Sequence, residues 1–112
     1  MTIFSKIIKG ELDAEKVFEN ERILAIKDNQ PVAPVHILII SKKEIPNLQS
    51  LDIKENGPLL LEMFGVAKKL ATEFGIAEGY RFLTNSGEQA GQTVFHLHFH
   101  LIGGTHLGGL VN

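Results

Sequence analysis

Apolar positions recur along this chain in two rhythms. Ile3, Phe4, Ile7 and Ile8 have the three- and four-residue spacing that gathers side chains on one face of a helix, and Gly10 follows where a short helix would stop. Val17–Phe18–Glu19 and Ile23–Leu24–Ala25–Ile26–Lys27 predict two strands with a turn at Asn20, Glu21 and Arg22. His36–Ile37–Leu38–Ile39–Ile40 predicts a third. The stretch from Asp28 to Pro34 is expected to be irregular, because Pro31 and Pro34 lack an amide proton and restrict the residues before them. Ser41 to Asn56 reads as irregular or short-helical backbone, broken at Pro46. The one long helix is expected from about Pro58, in its first turn, to Phe74, with Gly75 as its stop. Leu60, Met63, Phe64, Ala67, Leu70, Ala71 and Phe74 form its apolar stripe. Tyr80 to Asn85 predicts a fourth strand, and His96 to Ile102 a fifth that ends at Gly103–Gly104. A long helix and a short N-terminal helix against a mostly antiparallel five-stranded sheet make an α+β fold, expected as a single domain over residues 1–112.

Composition narrows the chemistry. The chain has 112 residues, 44% of them apolar, enough for a core without covalent staples. It has no cysteine, which excludes disulfides, thiolate nucleophiles and sulfur-ligated zinc, and fits a cytoplasmic location. The net charge is −2 and the only adjacent basic pairs are Lys42–Lys43 and Lys68–Lys69, so no nucleic-acid partner is expected. No apolar run is long enough to span a bilayer and the N-terminal segment lacks the features of a secretory signal, so no membrane partner is expected either.

The informative segment is His96–Leu97–His98–Phe99–His100–Leu101–Ile102. On a strand its side chains alternate, placing His96, His98 and His100 on one face and Leu97, Phe99 and Leu101 on the other, against the long helix. One metal ion shared by all three is disfavoured. At about 3.3 Å per residue the outer pair lie roughly 13 Å apart at Cα, whereas zinc–nitrogen bonds are about 2 Å long. A two-histidine site with His36 is an alternative. An extended anionic ligand such as a phosphate ester suits the row better, because imidazole near neutrality serves as nucleophile, donor or proton carrier.

At this point the chain resembles the histidine triad (HIT) family, whose signature is His-φ-His-φ-His-φ-φ with φ apolar; HLHFHLI at 96–102 fits it throughout. The resemblance extends over TIFSKIIKGE, the D-x-x-P-x-A-P-x-H run from Asp28 to His36, GYRFLTNSGEQAGQTVFH, and Gly103–Gly104, and is nearest to the Hint branch of purine nucleoside phosphoramidases. It implies that His98 attacks the α-phosphorus to form a nucleotidyl-histidine that water hydrolyses. It implies that His100 touches the phosphate, that His96 orients the nucleophile largely through its backbone carbonyl, and that His36 completes the cluster. Asn85, Gly91, Gln92 and Thr93 would cradle the phosphate and leaving group. Asp28 would hold the ribose hydroxyls beside Asn29, and Ile3, Phe4, Ile7 and Ile26 would sandwich the base. The resemblance further implies a homodimer, a purine nucleotide substrate, and no metal or cofactor.

These assignments also make sense physically. Gly91 permits close backbone approach, the Gly91–Gln92–Thr93 amides and hydroxyl suit a small anion nest, and a carboxylate at Asp28 accepts two hydrogen bonds from a vicinal diol. His36, His100 and Thr93 are candidate proton donors to a leaving nitrogen, and acyl-adenylates are related substrates. Dinucleoside polyphosphate hydrolysis, as in the Fhit-like branch, and a nucleotide-sensing interaction module are the competing functions. His106 lies outside the motif and reads as a surface group. The chain departs from the family pattern in having Asn29 for a common isoleucine and Ser41 for a common proline, and in its short Gly-rich tail from Thr105 to Asn112.

Overall fold

The computed structural model describes residues 1–110; Val111 and Asn112, the end of the Gly-rich tail, lie outside the described residues. The elements are α1 (Ile3–Ile8), β1 (Lys16–Glu19), β2 (Ile23–Lys27), β3 (Val35–Ser41), α2 (Ile53–Glu73), β4 (Tyr80–Leu83), a 3₁₀ turn (Glu88–Ala90) and β5 (His98–Gly103). The sheet has five strands in the order β1-β2-β3-β5-β4, and every neighbouring pair is antiparallel. This is the expected α+β fold.

Alternation along the strands builds two apolar layers. Ile23, Ala25, Ile37, Ile39, Phe99 and Leu101 face α2, where Met63, Ala67, Leu70 and Ala71 meet them. Leu24, Ile26, Leu38 and Ile40 face the other way and are covered by Phe4 and Ile7 of α1. The register sets His98 opposite Ile40 and His100 opposite Leu38. Both histidines therefore sit on the α1 side, as does His36, which shares the parity of Leu38 and Ile40 on β3. Leu97, Phe99 and Leu101 belong to the α2 layer, as the sequence pattern requires.

Three boundaries differ by two residues or more from the sequence reading. The long helix begins at Ile53, not near Pro58, because Asp52 caps it: its Oδ1 accepts from the amides of Lys54 (3.0 Å) and Glu55 (3.2 Å). Pro58 thus lies inside α2, where it forgoes the bond to the Lys54 carbonyl. Its buried stripe centres on Leu59, Met63, Val66, Ala67, Leu70 and Ala71; Phe64 is 46% exposed, its ring edge-on to Phe82 and Phe99. The fourth strand stops at Leu83, after which the Thr84 hydroxyl, not a ladder amide, donates to the His98 carbonyl at 2.7 Å. The fifth strand begins at His98, two residues later than expected, because the Leu97 amide turns to Ile45 O at 2.6 Å while its carbonyl alone still meets β3, accepting from the Ser41 amide at 3.3 Å.

Candidate active site

Four of the five histidines converge, but they do not form one open row. His98 and His100 are half-buried on β5, and His36 is buried on β3. His96 is 1% exposed and lies under the N-terminus of α1. His96 shares the α1 side with the other two, as its parity requires, with its ring 6.1 Å from that of Phe4 between centroids, but it is buried there and not open to a ligand. Its Nε2–H donates to the Ser41 carbonyl at 2.6 Å, and its Nδ1 meets the Thr2 hydroxyl at 3.1 Å. Thr2 is also the N-cap of α1, and Ser5, one turn on, donates to Glu44 Oε1 at 2.5 Å. What His96 offers the site is its backbone carbonyl, which accepts from His98 Nδ1 at 2.7 Å. Thr2, Ser5 and Glu44 are additions that sequence reasoning missed. Nothing in the sequence around Thr2 points to a histidine 94 residues away.

The partners fix the tautomers. A carbonyl only accepts, so His98 carries its proton on Nδ1 and leaves the Nε2 lone pair free. His36 Nδ1 accepts from the Val32 amide at 3.2 Å, so its proton is on Nε2, which donates to His100 Nδ1 at 2.9 Å. His100 in turn carries its proton on Nε2. The site thus presents one nucleophilic nitrogen beside one N–H donor, with ring centroids 5.2 Å apart. Burial keeps the rings uncharged. It is the main cause lowering His98 below the usual imidazole value, against the opposing His96 hydrogen bond. Burial also lowers His36, against the attraction of Asp28, and with help from His98 and His36 pushes His100 down to about 4.

Next to the histidines lies a cavity of about 390 Å³, within the size range of small-ligand sites. Ile3, Phe4, Ile7, Ile26, Asp28 and Asn29, the residues expected to hold base and ribose, all line it. The floor is Leu38, and the segment Leu12–Glu15 forms one wall. The histidines are not on its wall. Phe4 joins the two parts, its ring meeting His98 edge-on at 4.9 Å between centroids. Asp28 is held where β2 ends: Oδ1 accepts from the Gln30 amide at 2.8 Å and Oδ2 lies 3.4 Å from His36 Nε2.

The loop before the triad is built differently from the expected anion nest. Gly91, at φ +89°, closes the 3₁₀ turn, and its amide donates to Glu88 O at 3.0 Å; the Gln92 amide donates to Gly87 O at 3.1 Å. Both amides are therefore committed inside the loop. The Gln92 side chain is buried and equally committed: Oε1 accepts from Gly87 N (2.8 Å), and Nε2 donates to the Pro46 (2.7 Å) and Val94 (3.1 Å) carbonyls. Gln92 shapes the loop, and Thr93 is exposed. Asn85 is half-buried just beyond β4, whose Leu83 pairs with His100. His106 is exposed, as expected.

Asp28, His36 and His100 turn ligand-type atoms toward one another, all within 4.8 Å, the one such cluster among the described residues. The 2.9 Å between His36 Nε2 and His100 Nδ1 is a hydrogen-bond distance. Two nitrogens sharing tetrahedral zinc would stand ~3.3 Å apart, given zinc–nitrogen bonds of about 2.0–2.1 Å.

The HIT domain matches residues 9–107. A HIT-like protein of Chlamydia pneumoniae is 54% identical over 111 residues, spanning 98% of this chain and 99% of that protein. Among solved structures, a HIT family hydrolase from Clostridium thermocellum superposes with a TM-score of 0.93 at 48% identity, covering 99% of this chain and 96% of the other. A histidine triad protein from Clostridium difficile superposes with a TM-score of 0.91 at 39% identity, covering 97% and 95%. The motif, the fold and this kinship agree: the chain belongs to the HIT domain family.

Proposed function

We propose that this protein hydrolyses purine nucleoside 5′-phosphoramidates to a nucleoside 5′-monophosphate and an amine, with His98 as nucleophile. The observation that carries the reading is the 2.7 Å hydrogen bond from His98 Nδ1–H to the His96 carbonyl, which leaves Nε2 free to bond to phosphorus. The adjoining apolar cavity with Asp28 on its wall supports a nucleoside as the ligand. Similarity to HIT family hydrolases supports hydrolysis as the outcome.

In the first step His98 Nε2 bonds to the α-phosphorus while the phosphorus–nitrogen bond of the substrate breaks, and the leaving nitrogen takes up one proton. Water then attacks phosphorus, the bond to Nε2 breaks, and water releases one proton. The two proton movements cancel and His98 returns to its starting tautomer. His100 Nε2–H donates to a phosphate oxygen, and His36 holds that ring in the required tautomer. In this reading Thr93 and Asn85 serve the leaving group. The catalytic power comes mostly from positioning, as phosphoryl chemistry generally demands. Acyl-adenylates react through the same nucleotidyl-histidine, with the carboxylate leaving unprotonated and the proton from water released.

The working unit in this reading is a homodimer. Among the described residues the outer edge of β4 has no strand partner, and beside it Leu61 and Phe64 of α2 and Tyr80 of β4 expose apolar surface.

Turnover of adenosine 5′-phosphoramidate against diadenosine polyphosphate tests the reaction class. The phosphoramidate is expected to be the faster substrate by kcat/KM; faster cleavage of the polyphosphate would overturn the assignment.

A further inference from the structure

Within the nucleotide-binding reading just given, on which this inference rests, we propose that Asp13 makes the protein prefer guanine over adenine. Four charged side chains line the cavity: Asp13, Glu15, Lys27 and Asp28. Three are engaged. Glu15 and Lys27 pair with each other at 2.8 Å, and Asp28 accepts from the Gln30 amide and faces His36. Asp13 pairs with no cation among the described residues and is exposed on the segment between α1 and β1. It is the carboxylate on the cavity wall with no partner among the described residues, alongside the apolar Ile3, Ile7 and Leu12.

Apolar side chains hold either purine equally well, because both present the same flat faces. Discrimination has to come from the polar edge. Guanine carries two adjacent donors there, N1–H and the N2 amine, which match the two oxygens of a carboxylate. Adenine carries an N1 lone pair, which a carboxylate repels, and only one amine. A charged hydrogen bond typically favours the matched partner by more than a neutral one does, and partial exposure of Asp13 reduces the gain to about tenfold. Asn29, also on the cavity wall, bears an amide that donates and accepts, so it serves both bases and adds little preference.

The test is calorimetric titration of the full chain and of Asp13→Asn with GMP, AMP and IMP. Asp13→Asn alters an exposed side chain, and unchanged thermal melting verifies its fold. GMP is expected to bind wild type roughly tenfold more tightly than AMP, with IMP, which lacks the N2 amine, between them. Asp13→Asn is expected to bring the GMP-to-AMP ratio close to one, by weakening GMP and, because the amide can donate to adenine N1, by modestly strengthening AMP. Equal affinities in wild type, or a ratio that survives in Asp13→Asn, would overturn the role of Asp13 and leave the nucleotide site standing. Failure of all three nucleotides to bind would overturn the nucleotide reading itself, and this inference with it.

Discussion

His36 donates from Nε2 to Nδ1 of His100 across 2.9 Å, joining two residues 64 positions apart into one hydrogen-bonded pair. The bond exists because β3 and β5 are neighbours in register, with Leu38 opposite His100, so that His36 lies one diagonal step away on the same face. The pair works only while both rings are uncharged, and burial on the α1 side of the sheet secures that.

That burial has a consequence for stability against pH. An imidazole in the unfolded chain titrates near 6.5, whereas His100 in the folded protein is pushed down to about 4, chiefly by burial. Between those values the unfolded state binds more protons, so stability is full above about pH 6.5 and falls as the pH is lowered toward 4. His36 and His98, both shifted downward, act in the same direction. Thermal melts at pH 7 and pH 4.5 should show a larger drop in Tm for wild type than for His100→Asn. Equal drops would contradict the assignment.

Asp28 is the expected anchor of the ribose. It is already oriented by the Gln30 amide at 2.8 Å, so little ordering remains to be done when a diol arrives. Replacing it with alanine should weaken GMP binding by about 1–3 kcal/mol, the loss typical of charged hydrogen bonds. A dissociation constant equal to that of wild type, measured by titration, would remove Asp28 from the ribose site.

Much of this was legible in the chain itself. Apolar runs bounded by turn residues marked β2 and β3, and period-two alternation marked β5 and separated Phe99 and Leu101 from His98 and His100. The short helix ending before Gly10 and the apolar lining at Ile3, Phe4, Ile7 and Ile26 also followed from spacing and resemblance. What escaped was decided by hydrogen bonds between distant segments. The true start of α2 depended on the Asp52 cap, hidden behind Gly57 and Pro58, two poor helix residues. The burial of His96 depended on Thr2 and the Ser41 carbonyl. The closed state of the Gly91–Gln92 amides depended on carbonyls within the loop, which composition does not reveal.

The dimer proposal concerns α2 and the edge of β4. Leu61 is 72% exposed on α2, so changing it should leave the fold intact. Wild type should sediment as a dimer at micromolar concentration, and Leu61→Glu should shift it toward monomer by burying a charge in the contact. A wild-type monomer would refute the second copy.

The central claim is that His98 Nε2 bonds to phosphorus, and the most direct test is to catch that bond. Rapidly quenched protein mixed with adenosine 5′-phosphoramidate, digested and examined by mass spectrometry, should yield an adenylylated peptide with the modification on His98. The adduct should be absent from His98→Ala. Turnover by wild type with no such adduct at any quench time, or with the label on another residue, would contradict the mechanism.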